Sequence, residues 1–294
     1  MSTASPSFDV RGLLTNRGWL LEVFIVSNVA FLIIDVYVAH SFNDFAHWGE
    51  YVPLAYAVVG TVALAWSVWV EARHPDGERP SWIGTLVGWV GVAVGVAGLV
   101  WHLEAWFFEA VSLRSLVYSA PFAAPLAFAG LGLLLLMNRR VPAEEAVWGQ
   151  WVLFLAGGGF VGNFALSVVD HAQNGFFFAT EWIPVVSSAL AVGIIVAVLL
   201  VRPTQTALKV GAWVMGLQGA VGLLGFALHV APVFVGGEGT TLWEQIVYGA
   251  PVFAPLLFVD LAVLGGLGVW DLWAKLYGED ASVAAGAVSG AAAS

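Results

Sequence analysis

Apolar residues fall in long runs along this chain, and polar residues are confined to the short breaks between them. Eight runs stand out: 19–39, 51–70, 82–102, 116–137, 148–169, 182–201, 208–230 and 246–272. Each reaches the roughly 20 residues that an α-helix needs to cross the hydrocarbon core of a bilayer. None alternates apolar with polar in the manner of a barrel strand, and in lipid the helix satisfies its own backbone hydrogen bonds. The pattern therefore predicts an all-α integral membrane protein with eight transmembrane helices.

The breaks carry a second pattern. His40 and Asn43 are followed by Glu50 and Pro53, and His171 and Asn174 by Glu181 and Pro184, with the same internal spacing. Tyr118, Ala120, Pro121, Ala124, Pro125, Leu126 and Phe128 return as Tyr248, Ala250, Pro251, Ala254, Pro255, Leu256 and Phe258. Gly98 precedes His102 by the same step as Gly225 precedes His229. This predicts an internal repeat of four helices. Because four is even, both copies point the same way, about a pseudo-two-fold axis along the membrane normal. The expected divisions are an N-terminal segment at 1–18, a first four-helix repeat at 19–138, a linker at 139–147, a second repeat at 148–275 and a disordered tail at 276–294. The first 18 residues are polar and read as a cytoplasmic segment rather than a cleavable signal peptide.

Composition agrees with the apolar runs. Hydrophobic residues make up 60% of the chain and charged ones 10%, against about a quarter charged in soluble domains. Basic residues sort by side: Arg11, Arg17, Arg73, Arg79, Arg139, Arg140, Arg202, Lys209 and Lys275 fall on one side, and Arg114 on the other. Positive residues are retained inside, so both termini are expected in the cytoplasm of a multi-pass plasma-membrane protein. Trp19, Trp69, Trp82, Trp148 and Trp270 would mark the inner interface, and Trp48, Trp106, Trp182 and Trp243 the outer one. The net charge of −10, concentrated on the outer loops, favours cations or a basic protein partner and argues against nucleic acid. With no cysteine, disulfides, Fe–S clusters and thiolate sites are excluded.

The candidate chemistry lies at the outer helix ends. His40, His102, His171 and His229 close the first, third, fifth and seventh helices. A cationic imidazole there complements the helix dipole, but so would lysine or arginine. Imidazole differs in binding metals and haem near neutral pH. His40, His102, His171 and His229, with Glu50 and Glu181, are thus the expected site for a transition-metal ion (Zn, Cu or Fe) or haem b, serving electron transfer or metal handling. His47 has no counterpart, since Phe178 stands at its place, and His74 reads as a loop residue.

Each second proline of the pairs Pro121/Pro125 and Pro251/Pro255 would free the carbonyl four residues back, producing a kink or a carbonyl-lined cavity. Glycines in the third, fifth and seventh helices allow close packing or a flat ligand. Asp260, with Asn28 and Asn163 as candidate partners, is the intramembrane polar set; it supports a second reading, a small-solute or ion transporter or channel with a pathway between the repeats. A third is a non-catalytic subunit of a membrane complex, docked through the aromatic loops 42–48 and 176–182. No phosphate-loop or hydrolase motif is present: the triple glycine at 157–159 lacks a following lysine.

Overall fold

The computed structural model describes residues 14–73, 81–201, 203–235 and 240–278. Among these the chain is entirely helical. The helices are α1 (Arg17–Ser41), α2 (Tyr51–Arg73), α3 (Ser81–Glu104), α4 (Leu113–Tyr118), α5 (Leu126–Arg140), α6 (Trp148–Gln173), α7 (Trp182–Leu200), α8 (Gln205–Val235), α9 (Leu242–Tyr248) and α10 (Leu256–Tyr277). Most of the expected N-terminal segment, His74 and Arg79 of one loop, Arg202, and residues 279–294 of the expected tail lie outside the described residues.

Seven of these helices are long and apolar enough to cross a membrane. The exceptions follow from the proline pairs. The expected runs 116–137 and 246–272 are not continuous helices: each divides into a short helix, a turn that holds both prolines, and a second helix. Two prolines four apart remove two backbone donors and steer each preceding residue away from helical geometry, so the segment breaks rather than bends. What remains as α5 is 15 residues, about 22 Å of helix, short of the roughly 30 Å core. By contrast α10 keeps 22 residues because it runs on past the expected end. Pro53 and Pro184 instead lie in the first turns of α2 and α7, where the missing N–H has no partner to lose.

Helices α1, α2, α3 and α5 pack in a closed ring, and so do α6, α7, α8 and α10. The two rings meet where α5 touches α6 and α10 touches α1, with α4 against α6 and α9 against α1. One apolar core fills the first ring and the seam, from Leu21, Ile25 and Leu135 to Trp148 and Val152. A second fills the other ring around Leu153, Phe160, Ile195 and Leu208. Glycine sets the closest approaches. A Cβ on Gly95 would sit 2.5 Å from the Ala129 nitrogen, and one on Gly222 would sit 2.9 Å from the Pro255 carbonyl. The glycines of α3, and Gly222 and Gly225 of α8, therefore serve close packing, whereas Gly216 of α8 and Gly158 and Gly162 of α6 face open space.

The helix ends opposite the histidines hold a polar network. Arg139 pairs with Glu22 at 3.1 Å, their side chains 3% and 2% exposed, and also donates to Ser67. Asn138 donates to the Gly18 carbonyl and to Glu22, and accepts from Trp148. Trp148 is therefore wholly buried at the seam, not an interfacial anchor. Asp271 is equally buried, held by Arg17 and Lys275, and Lys275 also donates to the carbonyls of Ala143 and Glu145. Of the basic residues that predict orientation, Arg17, Arg139 and Lys275 thus also bind the structure together.

Candidate functional site

Helices α1 and α6 end in the same way. Phe45 N–H returns to the His40 carbonyl at 3.1 Å, and Phe176 N–H to that of His171 at 2.9 Å, a six-to-one closure that requires left-handed residues. Asp44 and Phe45 supply them in one loop (φ 56° and 51°), Gly175 and Phe176 in the other (φ 73° and 54°). Phe45 then stacks on Tyr51 and Phe176 on Trp182. A 3₁₀ turn, Trp48–Glu50 or Ala179–Glu181, carries the glutamate back over the helix end.

The asparagine between histidine and glutamate explains the motif's spacing. Asn43 Nδ2 donates to Glu50 Oε1 at 2.8 Å, and Asn174 Nδ2 to Glu181 Oε1 at 2.9 Å. Each carboxylate is thereby held by one oxygen. The other, Oε2, is buried in both residues without a hydrogen-bond partner. Glu50 Oε2 stands 3.7 Å from His40 Nδ1, too far for a hydrogen bond.

The third and seventh histidines are fixed by the proline breaks. His102 Nδ1 lies 3.0 Å from the Pro121 carbonyl and His229 Nδ1 2.9 Å from that of Pro251. These are the carbonyls four residues before Pro125 and Pro255. A carbonyl can only accept, so each Nδ1 carries a hydrogen and the neutral ring keeps its lone pair on Nε2. Gly98 and Gly225 bring the ring-bearing helices onto the prolines: a Cβ on either would lie 2.7–2.8 Å from the Cβ of Pro125 or Pro255.

These parts assemble within each half. The rings of His40 and His102 are 6.2 Å apart, centre to centre, at 84°, and Glu50 is within electrostatic reach of both. His171 likewise feels Glu181 and His229. The four imidazoles thus form two pairs, His40 with His102 and His171 with His229. As they stand, no three His, Asp or Glu side chains among the described residues are arranged to hold a metal ion. His47 has a separate role, its Nδ1 accepting from Gly49 N–H at 3.1 Å to cap the 3₁₀ turn.

The intramembrane set is dispersed. Asn28 donates to the Phe24 carbonyl of its own helix, Asn163 Nδ2 is buried without a hydrogen-bond partner, and Asp260 is partly exposed on α10. Sequence reasoning passed over the acids most deeply buried, Glu22 and Asp271. The available signal was their position: each lies in an apolar run on the side that collects the basic residues.

The chain matches no protein-family model, and no curated protein or solved structure shows significant similarity to it.

Proposed function

We propose that the chain is an eight-span membrane protein of two parallel four-helix units, with both termini in the cytoplasm, whose outer ends carry two sites for a transition-metal ion. One site comprises His40, Glu50 and His102; the other comprises His171, Glu181 and His229. Their work is metal handling or electron transfer at the extracytoplasmic face of the plasma membrane. The paired hydrogen bonds of the two halves support the parallel arrangement, since equivalent residues of parallel repeats share one depth. The eighth span is α5 together with the proline turn before it.

The observation that carries the metal reading is the buried Oε2 of both Glu50 and Glu181, which has no hydrogen-bond partner in either residue. A buried polar atom left without a partner costs about 1–3 kcal/mol, more for a charged group. Two such atoms at matching positions fit a group that takes a cation. The 3.7 Å between Glu50 Oε2 and His40 Nδ1 is close to the spacing of two ligands on one tetrahedral ion, about 3.3 Å when each lies at 2.0–2.1 Å from it. Backbone carbonyls orient His102 and His229 with Nε2 free, as is usual for an imidazole that binds a metal through its other nitrogen. Binding would draw the third ligand in by a small movement of the ring pair.

Protein incubated with Zn²⁺ or Cu²⁺ and desalted is expected to retain about two ions per chain by elemental analysis. Glu50→Gln should leave one, and the pair Glu50→Gln and Glu181→Gln none. A Soret band in the purified protein would place haem iron on the same imidazoles. Neither retained metal nor a Soret band would end the reading.

A further inference from the structure

The outer seam between the two halves contains a cleft of ≈ 470 Å³ that neither histidine cluster uses. Tyr37, Asp44 and Phe45 line it from the end of α1 and its loop, and Trp243, Glu244 and Tyr248 from α9. The ring centres of Tyr37 and Phe45 are 5.8 Å apart, and those of Tyr37 and Trp243 6.0 Å. Four aromatic rings and two carboxylates from opposite halves therefore share one open cavity, of a size common for small-ligand sites. An interfacial belt accounts for single tryptophans and tyrosines at headgroup depth. It gives no reason for them to converge around two acids.

The opposite seam, between α4 and α6, is the control that the parallel-unit reading supplies. There Val168 occupies the register of Tyr37, and Gly175 that of Asp44. Counted back from Tyr118, Leu113 and Arg114 stand where α9 has Trp243 and Glu244, and α4 contains no acid. The counterpart seam keeps two of the rings, Phe176 and Tyr118, but lacks the other two and both acids, and has an arginine in place of Glu244. Asp44 makes the same point through its backbone. It holds φ 56° where the matching residue is a glycine at φ 73°, so a side chain is kept where glycine would sit without strain.

We propose that this cleft binds an organic monocation of the methylated-ammonium class, as a free solute or as a lipid headgroup. The faces of aromatic rings are negative and attract a cation within about 6 Å of their centres. A quaternary ammonium such as choline has no N–H to satisfy and is weakly hydrated, so rings compete with water for it far better than for a small inorganic ion. Asp44 and Glu244 supply the net charge that selects the sign.

Equilibrium dialysis of the full-length protein with labelled choline tests this. Saturable binding is expected, displaced by tetramethylammonium but not by 3,3-dimethylbutanol, the neutral isostere. Trp243→Ala should weaken binding about tenfold and Trp243→Phe about threefold. Glu244→Gln should weaken it severalfold while keeping a residue that can close the α9 cap. Arg114→Ala should leave it unchanged. Nanodiscs of phosphatidylcholine and of phosphatidylglycerol separate the sources: loss of choline binding in the first alone assigns the headgroup, and equal binding in both assigns a free solute. No saturable binding, equal displacement by the neutral alcohol, or unchanged affinity in both Trp243→Phe and Glu244→Gln would overturn the proposal.

Discussion

At the ends that carry the histidines, two hydrogen bonds of the first half of the chain have counterparts in the second: Asn43 holds Glu50 as Asn174 holds Glu181, and His102 meets Pro121 as His229 meets Pro251. At the inner ends they part. Glu22, Ser67, Asn138 and Arg139 form a buried polar network in the first half. The same registers in the second half hold Leu153, Val198, Gly268 and Val269. Leu153, Val198 and Val269 are 1%, 4% and 6% exposed and belong to one apolar core. The scaffold thus closes a helix bundle at that depth with or without polar groups. Packing alone therefore gives no reason for the outer clusters to be polar in both halves, whereas a shared chemical task does. The inner network has a different use, because it lies beside the seam and Asn138 reaches across it to Trp148.

The largest effect is expected at that inner network. Arg139→Ala removes the guanidinium paired with buried Glu22 and should cost about 3–5 kcal/mol. Installing the second half's residues together, Glu22→Leu with Arg139→Val, should recover most of this, since apolar replacement of a buried pair is often neutral. Equilibrium unfolding in detergent gives both values. If the double variant were as unstable as the single, the first ring would require its ion pair and the comparison between inner ends would fail.

The sequence carries more of the outer ends than of the inner ones, for a physical reason. Asn43 and Glu50, seven positions apart, meet across one short loop, so their spacing alone places them together. The carbonyl that Pro125 frees is likewise a local consequence of covalent geometry, and only its capture by His102, 19 positions away, needed the fold. The inner partners are remote: Arg139 lies 117 positions from Glu22, and Asp271 lies 254 from Arg17. In an apolar run near a helix end, a lone charge has the same appearance whether it faces headgroups or an ion partner. Trp148 shows the same ambiguity, since an interfacial ring and a buried seam ring have the same neighbours in sequence. The break before α5 was hidden because the run 116–137 is apolar on both sides of its prolines, and hydropathy does not register lost backbone donors.

A smaller effect separates the two outer loops. Asp44 and Gly175 occupy one backbone conformation, and a residue with a side chain pays there by about 1 kcal/mol relative to glycine. Asp44→Gly should therefore raise thermal stability by about that amount while weakening choline binding. Unfolding and dialysis on the same variant read the two changes. A variant that lost stability would show that the carboxylate supports the loop, and would remove the contrast with Gly175.

The smallest effect lies in the short helices that follow the outer loops. Both begin with a capping box, but α4 closes it with Ser112 and Ser115, and α9 with Thr241 and Glu244. The Thr241 N–H and hydroxyl both donate to Glu244 Oε2, at 2.7 and 2.9 Å. These donors hold the carboxyl below its ordinary value of 4.5. A group whose folded value is depressed stabilises above its unfolded value and loses that contribution as pH falls through the folded one. Hydrogen exchange, corrected for the intrinsic rate, should then show the first turn of α9 losing protection below about pH 4.5, while α4, whose serines do not titrate, stays constant. Parallel loss in both helices would assign the change to the surrounding loops instead of the cap. In that case the seam on the α9 side would not owe its order to Glu244, the residue that both caps the helix and gives the cleft its charge.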